Sequence, residues 1–266
     1  MKIAFIGGGN MGEAMLSAVL GKHLATIQSV IASDSSPERR QYLTSKYGIA
    51  VIDDNRKTVA GADVIVLAIK PQNLAEVMAE LNGLLGPEQL VLSIIAGVRL
   101  DTICQGLGHR AVVRAMPNTP AQIGQGMTVW TATEEVSEQQ NEWAGSILSV
   151  MGHEIAVSSE DQIDMATAIS GSGPAYLFLF VEALVNAAVQ LGLSHDMAQE
   201  LVLTTVLGSG HLIEESGIEP AELRRMVTSP GGTTAEALRE FEQGEFSELL
   251  TRAVRAAYER AKQLGS

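Results

Sequence analysis

Apolar positions in the first 157 residues fall in short, nearly unbroken runs, and beyond them they recur at helical spacing. The first run, Ile3-Ala4-Phe5-Ile6, leads into Gly7-Gly8-Gly9-Asn10-Met11-Gly12 and then a helical pattern over 13–20 that Gly21 closes. Further strand-like runs lie at 30–32, 64–69, 90–94 and 111–114, with helical patterns between them. The 64–69 run has no polar alternation, as expected of a parallel strand covered by helices on both faces. Residues 126–131 predict an added strand, 137–150 a helix and 154–157 a last short strand. Strands alternating with helices in this way predict a Rossmann-like, doubly wound α/β sheet.

After Val157 no strand pattern remains, and Ser158-Ser159-Glu160-Asp161 has the form of a helix cap with acidic first-turn residues. The expected domains are therefore 1–158, a dinucleotide-binding sheet, and 159–266, an all-α unit. Residues 175–191 are apolar on almost every side, with Glu182, Asn186 and Gln190 as a thin polar stripe and Gly192 as the breaker. Such a helix must be buried, and three polar groups favour a protein interior over a bilayer. One small helical domain cannot surround it, so a two-fold homodimer is the expected assembly. A helix over about 195–215 capped by Ser194 follows, with small residues at Thr204, Thr205, Gly208 and Ser209. A helix start at Pro220 and an amphipathic run over 246–261 complete the bundle.

The 266 residues carry a formal net charge of −13 spread along the chain, which makes nucleic acid a poor partner. The one cysteine, Cys104, has no partner for an intramolecular disulfide, and the five histidines are scattered without metal-ligand spacing, so no metal site is read. Met1-Lys2 passes directly into the first apolar run, unlike a signal peptide. A reducing cytoplasm is the expected compartment, with no membrane association.

Two glycine-rich segments carry the candidate chemistry. In the first, Gly7 permits a tight turn, Gly9 lets the backbone approach a pyrophosphate, and Gly12 lets the helix pack on the strand. A pyrophosphate would rest on the amides around Asn10 and Met11, beside Ile6 and Gly8. Ligands of such sheets lie at the carboxyl ends of the strands, at Ser33-Asp34, Lys70-Pro71, Ala96-Gly97 and Met116-Pro117-Asn118. The second segment, Thr228-Ser229-Pro230-Gly231-Gly232-Thr233-Thr234, opens a helix whose first N–H groups lack intrahelical partners. It suits a small carboxylate, with hydroxyls on Ser229, Thr233 and Thr234 as additional donors and acceptors.

This run, with Ser170-Gly171-Ser172-Gly173-Pro174-Ala175-Tyr176 and Met116-Pro117-Asn118-Thr119-Pro120, resembles pyrroline-5-carboxylate reductase, and the resemblance covers the whole chain in order and spacing. It implies that Ser33, Asp34 and Asn55 lie near the adenosine of a nicotinamide dinucleotide, and that Ala68, Ile69, Lys70, Ala96 and Gly97 border its ribose and nicotinamide. It also implies interlocked helical domains in a homodimer, with larger rings of dimers in some members, and an active site between a sheet domain and helices of the dimer. An acidic residue at Asp34 favours the 2′-hydroxyl of NADH. Ser33, Ser35, Arg39 and Arg40 can instead cradle a 2′-phosphate, and the resembled family commonly uses NADPH. NADPH is the expected cofactor, with NADH as the alternative.

Reduction of a ketone needs a general acid beside the oxygen, and 173–178, where related hydroxyacid dehydrogenases place a lysine, holds none. A cyclic imine can arrive protonated, so positioning becomes the main task. The expected reaction is reduction of 1-pyrroline-5-carboxylate to proline. The amides of Gly231, Gly232 and Thr233, with Ser229, would hold the substrate carboxylate, and Thr234 would bond the ring nitrogen. Thr234 and Lys70 are the candidate catalytic residues. A reductase of another small cyclic imino acid and a non-catalytic dinucleotide sensor remain as alternative readings.

Overall fold

A computed structural model describes residues 1–265. The first compact unit comprises Met1–Ser172 and the chain from Ala257 on, and the second is Gly173–Ala256.

In the first unit, eight strands form one sheet: β1 (Ile3–Ile6), β2 (Val30–Ser33), β3 (Ala50–Ile52), β4 (Val64–Leu67), β5 (Leu90–Ser93), β6 (Val112–Met116), β7 (Gly126–Ala132) and β8 (Gly152–Ala156). Their order is β3-β2-β1-β4-β5-β6-β7-β8, parallel except where β7 runs against β6. The strands are threaded through α1 (Asn10–Gly21), α2 (Pro37–Tyr47), α3 (Asn55–Val59), α4 (Leu74–Leu81), α5 (Leu100–Leu107), α6 (Glu138–Ser149) and α7 (Glu160–Ala166). This is the doubly wound sheet that the hydrophobic pattern predicts. β3 is the strand that pattern does not show. Gly21 is the last residue of the first helix rather than the residue after it; Lys22 is the cap, and the left-handed turn that follows falls on His23, with φ 58°.

Alternation along each strand divides the core between two faces. Ile3 and Phe5 point to the α1 and α6 side with Met15 and Ile147, while Ala4 and Ile6 point to the α4 and α5 side with Leu81 and Ile103. Because both faces are covered, β1, β4 and β5 are buried at every position.

Strands stop after β8, near the 158/159 boundary, yet α7 stays with the sheet. Arg114 on β6, almost wholly buried, donates to Glu160 at 2.8 Å and to buried Asp164 at 2.7 Å, both on α7. The compact division therefore falls at 172/173.

The second unit holds α8 (Gly173–Gln190), α9 (His195–Ser216), α10 (Pro220–Met226), α11 (Thr233–Gln243) and the first part of α12 (Phe246–Leu264). Ser194 caps α9 by accepting from the Met197 N–H, and Pro220 occupies the first turn of α10. Its core is small: Val185 of α8 packs against Ala198 and Val202 of α9. Val185 is the one buried residue of α8, so the single chain leaves this helix largely uncovered, as expected of an apolar helix that a small domain cannot surround alone. The helical stretch Glu160–Gln190 is long and apolar enough to cross a membrane, by length and mean hydropathy alone.

Candidate active site

The turn after β1 is built by close backbone contacts. Gly7 takes φ 95°, its N–H donates to the Ser33 carbonyl at 2.9 Å, and a Cβ there would fall 2.7 Å from the Ala68 carbonyl oxygen. Gly12 brings α1 down on this turn, since a Cβ on it would lie 2.5 Å from the Gly7 oxygen. Beside Gly9, the N-cap of α1, there is open space instead. A ligand can thus reach the first helix N–H groups, which have no intrahelical partner.

This turn opens on a cleft of about 680 Å³ along the carboxyl ends of the strands. Of the expected cofactor residues, Ile6, Gly7, Gly9, Ser33, Asp34, Asn55, Ala68, Ile69 and Lys70 line it. Gly8, Asn10, Met11 and Gly12 form the turn and helix start behind it, while Ala96 and Gly97 lie past the end of β5, outside its lining. Gly97, with φ 71°, is covered by the end of α12, where Leu264 would lie 2.5 Å from an added Cβ. Asp53, Glu76 and Glu80 also line the cleft and do not stand out in the sequence. Asp53 follows β3, so locating that strand would have found it.

The cleft's polar groups are tightly committed. Asp34 accepts from the Gly8 N–H with one carboxylate oxygen and from the Ser36 N–H with the other, each at 2.9 Å, which locks the glycine turn to the end of β2. Ser33, buried, donates to Asn55 at 2.6 Å, and Asn55 donates to Glu80 at 2.7 Å. The two guanidiniums proposed for a 2′-phosphate are engaged. Arg39 bonds the Gly8 carbonyl and Glu13, while Arg40 donates to the carbonyls of Asp34 and Ser35 and pairs with Asp53 at 3.5 Å. Burial opposes charge on Glu13, but donors on Lys46, Tyr47, Arg39 and Tyr42 outweigh it and hold that carboxyl down to about 2. Lys70 is exposed at the start of the short turn Pro71–Asn73. A pyrophosphate and two nucleosides fit this combination of open turn, free helix start and long cleft.

The second site lies wholly in the helical unit. Gly231 takes φ 69° and Gly232 is the N-cap of α11, so Thr233 and Thr234 occupy its first turn. A Cβ on Gly232 would fall 2.5 Å from the Ser229 hydroxyl oxygen, whereas the space beside Gly231 is open. The Gly232 N–H donates to the Ser229 carbonyl at 3.0 Å. Of the three amides expected to hold a carboxylate, one is thus used to close the turn, and those of Gly231 and Thr233 flank it. Thr228 caps the preceding helix by donating to the Arg224 carbonyl at 2.6 Å, which makes it a structural member of the run.

Comparison with known proteins agrees with both halves. Residues 160–264 match the family profile for pyrroline-5-carboxylate reductase dimerisation, and residues 2–97 match that for coenzyme F420-dependent NADP oxidoreductases. The chain is 43% identical to a pyrroline-5-carboxylate reductase of Pseudomonas aeruginosa, over 99% of this chain and 96% of the relative. The structure of a Coxiella burnetii pyrroline-5-carboxylate reductase superposes with a TM-score of 0.91 at 40% identity, over 100% of this chain and 98% of the other. A Plasmodium falciparum pyrroline carboxylate reductase with NADP bound gives 0.91 at 30% identity, with the same coverage. On full-length similarity of this degree, the chain belongs to the pyrroline-5-carboxylate reductase family.

Proposed function

We infer that this protein reduces the cyclic imine 1-pyrroline-5-carboxylate to L-proline, the last step of proline biosynthesis, with NAD(P)H as hydride donor. The observation that carries this reading is one chain holding both an open dinucleotide turn at Gly7 and Gly9 and a carboxylate cradle at Gly231 and Thr233, in a family named for that reaction. The relative with NADP bound supports NADPH as a cofactor.

A nicotinamide dinucleotide, when bound, would supply a hydride to the C=N carbon; because the imine arrives protonated on its ring nitrogen, the C=N π pair then becomes the nitrogen lone pair and the product is the neutral amine. The chain's own residues bind and orient. The Gly7 to Gly12 turn and the start of α1 hold the pyrophosphate, Ser33, Asp34 and Asn55 the adenosine side, and Ala68, Ile69, Lys70, Ala96 and Gly97 the nicotinamide side. The amides of Gly231 and Thr233 and the Ser229 hydroxyl take the substrate carboxylate, with Gly232 shaping the turn. Thr234 bonds the ring nitrogen and stabilises the amine as it forms. Lys70 places a positive charge beside the cofactor. Orientation of two bound reactants is worth about 7–11 kcal/mol of barrier, so no covalent nucleophile is required.

Residues 159–266 serve as the dimerisation and substrate-binding domain. Phe178, Leu179 and Leu207 are all more than half exposed in the single chain, and a second copy of the same surface covers them in a homodimer, alone or within a ring of dimers, in the cytoplasm.

The test is cofactor oxidation by the purified protein with five- and six-membered cyclic imino acids. The expected result is turnover with the five-membered imine at least about tenfold faster, since one methylene in a fitted site is worth about 10–200-fold. Equal rates would make this a general imine reductase. Cofactor binding without turnover on either would leave a dinucleotide sensor.

A further inference from the structure

The pyrophosphate turn lies at the end of β1, and the adenosine-side groups Ser33, Asp53 and Asn55 lie at the ends of β2 and β3. A dinucleotide in this cleft therefore extends its nicotinamide half the other way, over β4 and β5 and towards β6. With strands ~4.8 Å apart, the end of β6 lies three steps, or about 14 Å, from the Gly7 turn. What occupies that end of the sheet sets the far wall for the reactive ring.

It is occupied by a π-turn, Thr167–Gly171, between α7 and α8. Its widened ring is closed by the Ser172 N–H donating to the Thr167 carbonyl at 2.8 Å. Past this turn the ladder is broken at Pro174, which has no N–H to offer the Ser170 carbonyl four residues before it, so that carbonyl needs a partner from outside the helix. For Ser170 that partner is Asn118, two residues beyond the end of β6. The Asn118 Nδ2 donates to the Ser170 carbonyl at 3.1 Å, and its Oδ1 accepts from the Met127 N–H on β7 at 2.9 Å. The Ser170 hydroxyl is turned back to the Ala166 carbonyl at 3.0 Å. Met116, the last residue of β6, lies against the same turn, its terminal methyl 3.2 Å from where a Cβ on Gly171 would be. One half-buried amide thus ties the end of β6, the start of β7 and the π-turn together on the carboxyl edge of the sheet.

We infer that Asn118 is a positioning residue for hydride transfer: by pinning the π-turn to the end of β6 it fixes the wall of the nicotinamide end of the cleft, and it has no part in holding the adenosine half. This rests on the reductase reading. Its consequence is a split in the kinetics. Cofactor affinity comes from the turn and from the residues over β2 and β3, all remote from Asn118, whereas the approach of the reacting atoms depends on the wall. A purely structural staple would lower stability and leave both kcat and cofactor affinity of the folded enzyme intact.

Asn118→Asp separates these outcomes, because it keeps an acceptor for the Met127 N–H and sets a second acceptor against the Ser170 carbonyl. Turnover of pyrroline-5-carboxylate is measured beside NADPH affinity, the latter by cofactor fluorescence titration. The expected result is a kcat lower by about tenfold or more with an NADPH Kd within about twofold of the original. Should Asn118→Asp fail to fold, Asn118→Ala, which removes both bonds and adds no charge, is read by the same two numbers. A folded variant with unchanged kcat, or one that loses kcat and NADPH affinity in equal proportion, overturns the inference. Absence of turnover in the unsubstituted protein would defeat the reductase reading and this inference with it. An active parent with an equally active Asn118→Asp would remove only the role of Asn118.

Discussion

Phe5 and Phe178 both sit in unbroken apolar runs, yet Phe5 is wholly buried in β1 while Phe178 on α8 is 62% exposed. The difference extends to the units they belong to. The sheet unit covers both faces of its strands with its own helices and seals buried Arg114 with two carboxylates. The helical unit has a core of three fully buried residues and leaves Leu179 and Leu207 in the open. One unit is complete within a single chain, and the other is half of something. On the proposed reading the division matches the chemistry: a dinucleotide needs a rigid, finished turn, whereas the proposed substrate cradle lies in the unit that a second copy completes.

The largest expected effect lies in the helical unit. Phe178→Asp places a charge on the exposed apolar face of α8, and light scattering should show the dimer lost, with catalytic efficiency down about a hundredfold or more. A variant that stays dimeric and active would break the comparison, because the face would then need no cover.

Arg114→Met tests the sheet unit in the opposite sense. It leaves Asp164, 1% exposed, with only the partly exposed Arg99 guanidinium at 3.5 Å, and urea unfolding should show a loss of about 3 kcal/mol. A loss below about 1 kcal/mol would mean that α7 is held to the sheet by packing alone.

Much of this contrast is legible in the sequence, and the exceptions have physical causes. The strand, glycine turn and helix at 3–20 are local, so periodicity and turn chemistry suffice. β3 escapes because Ala50-Val51-Ile52 is a three-residue edge strand, partly exposed, too short for any period to register, and Asp53 escapes with it. That one chain leaves α8 open is legible too, since a small helical domain cannot surround an apolar helix; which of its residues stay open, Phe178 and Leu179 among them, is not. The use of the Gly232 N–H within its own turn depends on the φ of Gly231, which motif spacing does not specify. Asp34 is legible as a residue at the end of β2, but its bonds to the Gly8 and Ser36 amides give it a structural duty as well.

That double duty makes Asp34→Ser informative. Removing the charge favours a 2′-phosphate, while loss of two amide bonds loosens the turn for either cofactor. The ratio of kcat/KM for NADPH over NADH should rise by about tenfold, with both affinities lower. An unchanged ratio would take Asp34 out of cofactor selection and leave it as a turn lock.

The smallest effect concerns acid stability. The folded Glu13 carboxyl titrates at about 2 against an ordinary 4.5, so its contribution is complete above about 4.5 and is lost as pH falls towards 2. Melting temperature followed over that window should fall less steeply in Glu13→Gln than in the parent. Parallel curves would mean that Arg39, Lys46, Tyr42 and Tyr47 hold the α1 and α2 contact without needing the charge.

The most direct test of the division of labour is Thr234→Ala, read by kcat on pyrroline-5-carboxylate and by NADPH affinity in the same preparation. If the helical unit supplies the substrate cradle and the sheet unit the cofactor site, kcat falls about tenfold to a hundredfold, equivalent to about 1–3 kcal/mol, while the NADPH Kd stays within about twofold. A variant that turns over at the parent rate, or one that loses NADPH in step with kcat, would contradict the account.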